Sequence, residues 1–174
     1  QSFEKLRRDR SFYVDKTGLI REWCENQDDV TLITRPRRFG KTLNLNMLHC
    51  FFSNQYKNRS DLFEGLSIWE ERKYREMQGT WPVIALTFAN VKGKTYAGVR
   101  DGMIRALFDA FREYDFLFSQ NLCGEEANAY YEALKKYTVS ASADRFLSDD
   151  LIAGALHELS VYLFRYYGKK VLIF

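Results

Sequence analysis

Proline occurs only twice in the 174 residues and glycine ten times. Neither a collagen-like repeat nor a long Gly/Pro-rich linker is therefore present. Cysteine is equally sparse: Cys24, Cys50 and Cys123 are far apart, odd in number and never in a CxxC pair. That spacing gives no disulfide framework and no zinc site, and the three residues read as buried reduced thiols of a cytoplasmic protein. Both histidines, His49 and His157, fall on expected helices without metal-ligand neighbours, so packing is their expected role. No apolar run approaches the ~20 residues needed to span a bilayer, and no membrane partner is expected. Gln1–Arg8 has no signal-peptide core. Initiator methionine is missing too, so the chain reads as a piece of something longer. Excess charge of one sign is also missing: 26 basic against 23 acidic residues leave +3, too little to argue for nucleic acid by itself.

What is present is ordinary globular material, with 46% hydrophobic, 28% charged and 16% aromatic residues. The length suits one domain or part of one. Asp15 is placed to cap a helix from about Thr17 to Glu25, with Leu19, Ile20 and Trp23 on one face. Asn26–Asp29 is a polar loop, and Val30–Thr34 is a β-rich apolar run that reads as a buried strand. Lys41–Phe52 reads as a helix with Leu45, Leu48 and Phe52 as its stripe. An irregular stretch follows over 53–68, then a short helix over Ile68–Met77. Pro82–Phe88 is the second expected buried strand, its proline tolerated at the first position.

Ala97–Phe118 carries Val99, Met103, Ile104, Leu107, Phe108 and Phe111 at helical spacing. Glu125–Tyr137 is a further helix and Thr138–Asp144 a loop. Ser148 can cap a helix through about Tyr166, with Gly168 as its stop. Val171–Phe174 is a third strand-like run. Strands alternating with helices predict an α/β protein with a parallel sheet flanked by helices. No internal repeat or low-complexity segment appears.

Charge is distributed more informatively than its sum. Arg35, Arg37, Arg38 and Lys41 fall within seven residues, between an expected strand and an expected helix. The loop ends Gly40-Lys41-Thr42, where the phosphate-binding loop of NTPases belongs. Free N–H groups at the helix start point at phosphate oxygens, and the helix dipole adds attraction. Gly40 permits close backbone approach. Lys41 is the expected catalytic group, reaching the β/γ-phosphates, and the Thr42 hydroxyl is the expected Mg²⁺ ligand. Arg37, Arg38, Phe39, Gly40, Lys41, Thr42 and Leu43 form the expected nucleotide-binding set. The general G-x-x-x-x-G-K-[ST] pattern has glycine where this chain has Arg35, and Pro36 supplies no N–H. Amide donors must then come from residue 37 onward, with arginine side chains adding donors suited to phosphate. A basic loop gripping nucleic-acid backbone is the competing reading.

Phe12-Tyr-Val-Asp-Lys-Thr17, Ile33-Thr-Arg-Pro-Arg-Arg-Phe-Gly-Lys-Thr42, Asn46-Met-Leu48, Leu62-Phe-Glu-Gly-Leu-Ser-Ile68 and Trp81-Pro-Val-Ile84 together resemble the AAA-ATPase-like family of prokaryotic proteins. The resemblance spans about residues 3–90 by motif and the whole chain by layout. It implies a P-loop NTPase-type sheet, ATP and Mg²⁺ as cofactors, and frequently a C-terminal nuclease-like domain of the PD-(D/E)xK type. Its loop also has arginine in place of the first glycine. On this layout residues 1–29 are an N-terminal extension and 30–174 the nucleotide-binding core up to the Walker B strand. Val171–Phe174 resembles that strand, and the acidic pair would follow Phe174. The expected protein is thus the N-terminal portion of an ATPase domain, its sheet incomplete, a poor ATPase alone and prone to aggregate.

Tyr13, Asp15, Lys16 and Thr17 match a family motif. Phe12 or Tyr13 could stack on adenine and Asp15 face the nucleotide, whereas a helix cap and core aromatics are the plainer reading. Asn90 could orient water or simply make a turn. Arg7, Arg8 and Arg10 read as a solvated face. The primary functional expectation is Mg-dependent ATP binding, with hydrolysis in the full-length protein coupled to an effector. Self-association belongs to the same expectation, with Arg37 and Arg38 assisting or contacting a neighbouring subunit. The alternatives are a nucleotide-binding switch without turnover, a nucleic-acid-binding domain using the arginines, and a small-molecule kinase.

Overall fold

The structure is a computed structural model that describes residues 2–27, 29–34, 36, 38–139 and 147–174. It divides into two compact units, 1–83 with Phe174, and 84–173.

The first unit is built on helix α3 (Lys41–Phe52), whose C-terminal half, Met47 to Phe52, is buried. Helix α1 (Phe3–Arg8) packs on it, with the Phe3 amide donating to Asn46 Oδ1 at 2.6 Å. Phe3, Phe51, Phe52 and Phe63 form the aromatic centre, with ring centroids 5.0 to 5.3 Å apart along that chain of contacts. Trp23 of α2 (Gly18–Asn26) meets Phe52 edge-on at 5.0 Å. Between α3 and α4 (Arg72–Met77) the chain runs in three short 3₁₀ turns. A single parallel bridge joins Ser53 to Trp81.

The second unit is mainly helical. Helices α5 (Tyr96–Arg112), α6 (Asp115–Ser119), α7 (Glu125–Val139) and α8 (Asp149–Tyr167) enclose a core of Ile104, Phe111, Leu134, Leu159 and Leu163. Phe118 stacks on Tyr131 at 4.7 Å. Thr95 and Ser148 cap α5 and α8, accepting from the Gly98 and Leu151 amides at 3.2 Å each. Gly168 ends α8 with φ 62°, the left-handed stop expected of it.

The strands depart most from the sequence expectation. Strand β1 is only Val83–Ile84 and β2 only Leu172–Ile173, and the two form a small parallel sheet. That is compatible with an α/β class but far smaller than a P-loop sheet. Val30–Thr34 is not a strand: none of its residues lies in a β-ladder, and Val30 and Leu32 are 86% and 83% exposed. A strand exists only through its ladder partners, and apolar content cannot supply them. The expected helix over 97–118 is two helices. The chain turns at Tyr114, whose amide bonds to the Phe111 carbonyl at 3.0 Å. The Thr138–Asp144 loop is helical at Thr138 and Val139, and its remainder lies outside the described residues.

Candidate functional site

Helix α3 begins at Gly40, which takes the left-handed conformation, φ 78° and ψ 15°. Arg38, two residues earlier, is also left-handed at φ 70°, a conformation uncommon outside glycine. The first backbone bond of α3 runs from the Asn44 amide to the Gly40 carbonyl at 2.9 Å. The amides of Gly40 to Leu43 therefore precede the helix ladder. Glycine at the N-cap offers no side-chain cap, none is made among the described residues, and the first turn holds no acidic residue. Instead it begins with a lysine, the unfavourable sign for a helix N-terminus.

Helices α1 and α8 follow the usual rules. Ser2 caps α1 with Glu4 in its first turn, and Ser148 caps α8 ahead of Asp149 and Asp150. Helix α4 also lacks a side-chain cap bond and a first-turn acid and opens on Arg72, but behind Glu71 at its N-cap position. Helix α3, behind Gly40, combines no cap bond, no acid and an added cation with no carboxylate at its start. It lacks the negative partner that a bound anion would provide.

The predicted site residues occupy this end of α3. Lys41 Nζ donates to the Pro36 carbonyl at 3.2 Å, folding the ammonium back over the loop. Thr42 is exposed, and its hydroxyl has no hydrogen-bond partner among the described residues. Leu43 is half-buried, and Phe39 projects with 61% of its surface exposed. Arg38 is exposed and forms no ion pair among the described residues. Arg37 and Arg35 lie outside the described residues. No group of three or more His, Cys, Asp or Glu side chains among the described residues is placed to hold a metal.

The segment before α2 has two jobs that its sequence left open. Tyr13 does not stand free to stack on a base. It meets Phe3 edge-on at 5.3 Å and donates to Met47 Sδ at 3.2 Å. Phe12, by contrast, is 90% exposed. Asp15 serves as a clamp. Its Oδ1 accepts from the Thr17 amide at 2.8 Å and hydroxyl at 2.6 Å, and its Oδ2 accepts from the Ser67 amide at 2.7 Å. Partial burial opposes its charge, but the donors of Ser67 and Thr17 outweigh burial and hold its pKa below the ordinary value. Thr17, fully buried, accepts in turn from the Ile68 amide at 3.2 Å.

Between these two pinned residues stands Lys16. Its Nζ lies 3.7 Å from the point where a Cβ on Gly40 would be. In sequence Lys16 falls within a family motif that assigns it no contact. The approach joins residues 24 positions apart, and no periodicity reports such a contact.

Over residues 1–174 the sequence matches the model of a family described as Predicted AAA-ATPase. The chain belongs to this family. The resemblance that the motif blocks suggested is thus to the family the chain belongs to, and the candidate site at α3 is a feature of a Predicted AAA-ATPase member. A protein of Azotobacter chroococcum mcd 1, "Uncharacterized protein in vnfD 5'region", is 35% identical over 89 residues, 51% of this chain. The matched segment covers 16% of that relative's length. No solved structure matches the chain. Among the described residues, no helix is long and apolar enough to cross a membrane.

Proposed function

We propose that the chain binds the polyphosphate of a nucleoside triphosphate, with Mg²⁺, at the start of α3. The observation that carries this reading is the uncapped helix: Gly40 opens it left-handed, and Lys41 rather than an acid occupies its first turn. Such a terminus is poor protein design without a ligand and good design with an anion. The amides of Gly40 to Leu43 would cradle phosphate oxygens. Lys41 exchanges the Pro36 carbonyl for the β/γ-phosphates as a point charge. The donor set fits the metal as well: the Thr42 hydroxyl is exposed and uncommitted at the first turn, where it would hold Mg²⁺. The metal neutralises charge on the phosphate oxygens when bound.

ATP is the nucleotide that the family supports, and hydrolysis coupled to an effector is proposed for the full-length protein. The test is calorimetric titration of Mg-ATP into the wild-type chain and into Lys41→Ala. Loss of one charge-assisted contact, about 1.5–3 kcal/mol, predicts binding about ten- to a hundredfold weaker in the variant. Binding unchanged in Lys41→Ala would remove the phosphate loop from the account. Polyanion binding that needs no nucleotide and collapses with salt would favour the nucleic-acid reading instead.

A further inference from the structure

We infer that Lys16 is a second lysine of the phosphate site, delivered to it by the strap that precedes α2. The inference rests on the nucleotide reading above and adds to it a residue outside the glycine-lysine-threonine loop.

Three observations carry it. First, the Lys16 ammonium lies 3.7 Å from the position that a Cβ on Gly40 would take. It thus stands over the one residue of the loop whose missing side chain leaves the backbone open to a ligand. Second, this placement is fixed from both sides. Asp15 holds Thr17 and the Ser67 amide, and Thr17 holds the Ile68 amide. Just upstream, Tyr13 anchors to Met47 of α3 itself. The backbone flanking Lys16 is therefore tied to the turn at Ser67 and to the helix that carries the site. Third, the ammonium is not there to satisfy a carboxylate. Both oxygens of the adjacent Asp15 are committed to Thr17 and Ser67, and no ion pair to Lys16 exists among the described residues.

Two lysines and Arg38 thus gather at a helix N-terminus, where the dipole already repels cations. Polyphosphate, carrying several negative charges, turns each of these repulsions into attraction. A clamp of this kind selects for phosphate number. A monophosphate at the α3 amides can be served by Lys41 alone, whereas a longer chain of phosphates offers oxygens to both ammonium groups. The role assigned to Lys16 is binding and positioning, and Asp15 acts through it.

Calorimetric titrations of Mg-ATP and of AMP compare wild type, Lys16→Gln, Lys16→Arg and Lys41→Ala, with thermal unfolding of each variant as a folding check. The expected result is about tenfold weaker Mg-ATP binding in Lys16→Gln, from one lost charge-assisted contact. AMP binding changes less, Lys16→Arg recovers most of the loss, and the unfolding midpoint without ligand stays at the wild-type value. If wild type and Lys16→Gln bind Mg-ATP equally while Lys41→Ala fails to bind, Lys16 is overturned and the phosphate loop stands. If wild type itself binds no nucleotide, the underlying reading falls and takes Lys16 with it. If Lys16→Gln lowers the unfolding midpoint and weakens ATP and AMP alike, Lys16 is a structural residue and the inference fails.

Discussion

Gly40 and Gly79 both have left-handed backbones, with φ 78° and 68°, yet they carry different penalties for a side chain. At Gly40 an added Cβ would meet Lys16 Nζ at 3.7 Å, an ordinary contact. Only backbone strain remains, so Gly40→Ala should cost about 1–2 kcal/mol in urea unfolding. At Gly79 the same atom would lie 2.4 Å from Lys57 Cα and 2.9 Å from Lys57 N, and the Gly79 amide is tied to the Phe51 carbonyl at 2.8 Å. Backbone must move, and overpacking adds to strain, giving about 3 kcal/mol or more. The reverse order would mean that the Gly79 turn is not formed as described.

His49 gives a second residue-scale test. It is buried on α3 with its ring edge-on to Tyr56 at 5.5 Å, and burial pushes its pKa below the ordinary value. The unfolded chain takes that proton near pH ~6.5 and the folded chain only at lower pH. The unfolded state therefore binds more protons in this window, and stability falls as pH drops below about 6.5. Burial of Glu113 raises its carboxyl to about 7 and works in the opposite direction over the same range. The His49 contribution is therefore read as the difference between wild type and His49→Phe in urea midpoints at about pH 7.5 and about pH 5.5. The wild type should lose more stability, or gain less, than His49→Phe on going to the lower pH.

At the scale of elements, caps and their omission carry the argument. Thr95→Ala and Ser148→Ala each remove a side-chain acceptor from a helix start, and each should cost about 1 kcal/mol in thermal or chemical unfolding. Lys41→Ala has the opposite expected sign without ligand. Removing a cation from the first turn of α3 relieves a repulsion of about 0.3–1 kcal/mol, offset in part by the lost bond to Pro36. Apo stability should therefore hold or rise slightly while stabilisation by Mg-ATP disappears. A variant that loses both has a collapsed loop rather than a missing ligand contact.

The same helices show what the sequence makes legible. The bounds of α3 and the cap and stop of α8 were readable because local chemistry sets them: a glycine entry, a Ser cap, a glycine exit. The Tyr114 break was not, since Phe111, Leu117 and Phe118 keep apolar spacing across it and no glycine or proline marks the turn. Lys41 and Thr42 of the candidate site stand out in the sequence as a motif. Lys16 was not legible as a neighbour, because the contact that places it depends on Asp15 finding Ser67, 52 residues away.

For the whole molecule, the decisive segment is Val30–Thr34, read in sequence as a buried strand and found outside any ladder, with Ile33 half-buried and the rest exposed. Val30 and Leu32 are 86% and 83% exposed and outside any ladder. Five residues that are β-prone, largely apolar and uncharged form the kind of segment that pairs with other chains when left open. Val30→Thr with Leu32→Lys should therefore change the unfolding free energy by less than about 0.5 kcal/mol, as expected for surface positions. Light scattering at constant temperature should show slower aggregation of that double variant. Leu159→Ala supplies the contrast: it opens a cavity in the core of the second unit, where Leu159 is fully buried, and should cost about 2–5 kcal/mol. If the double variant proves as damaging as Leu159→Ala, then Val30 and Leu32 are buried in the folded protein and the strand reading is restored. If it is silent in stability but slows aggregation, the strip is exposed as described and is the surface through which separate chains pair.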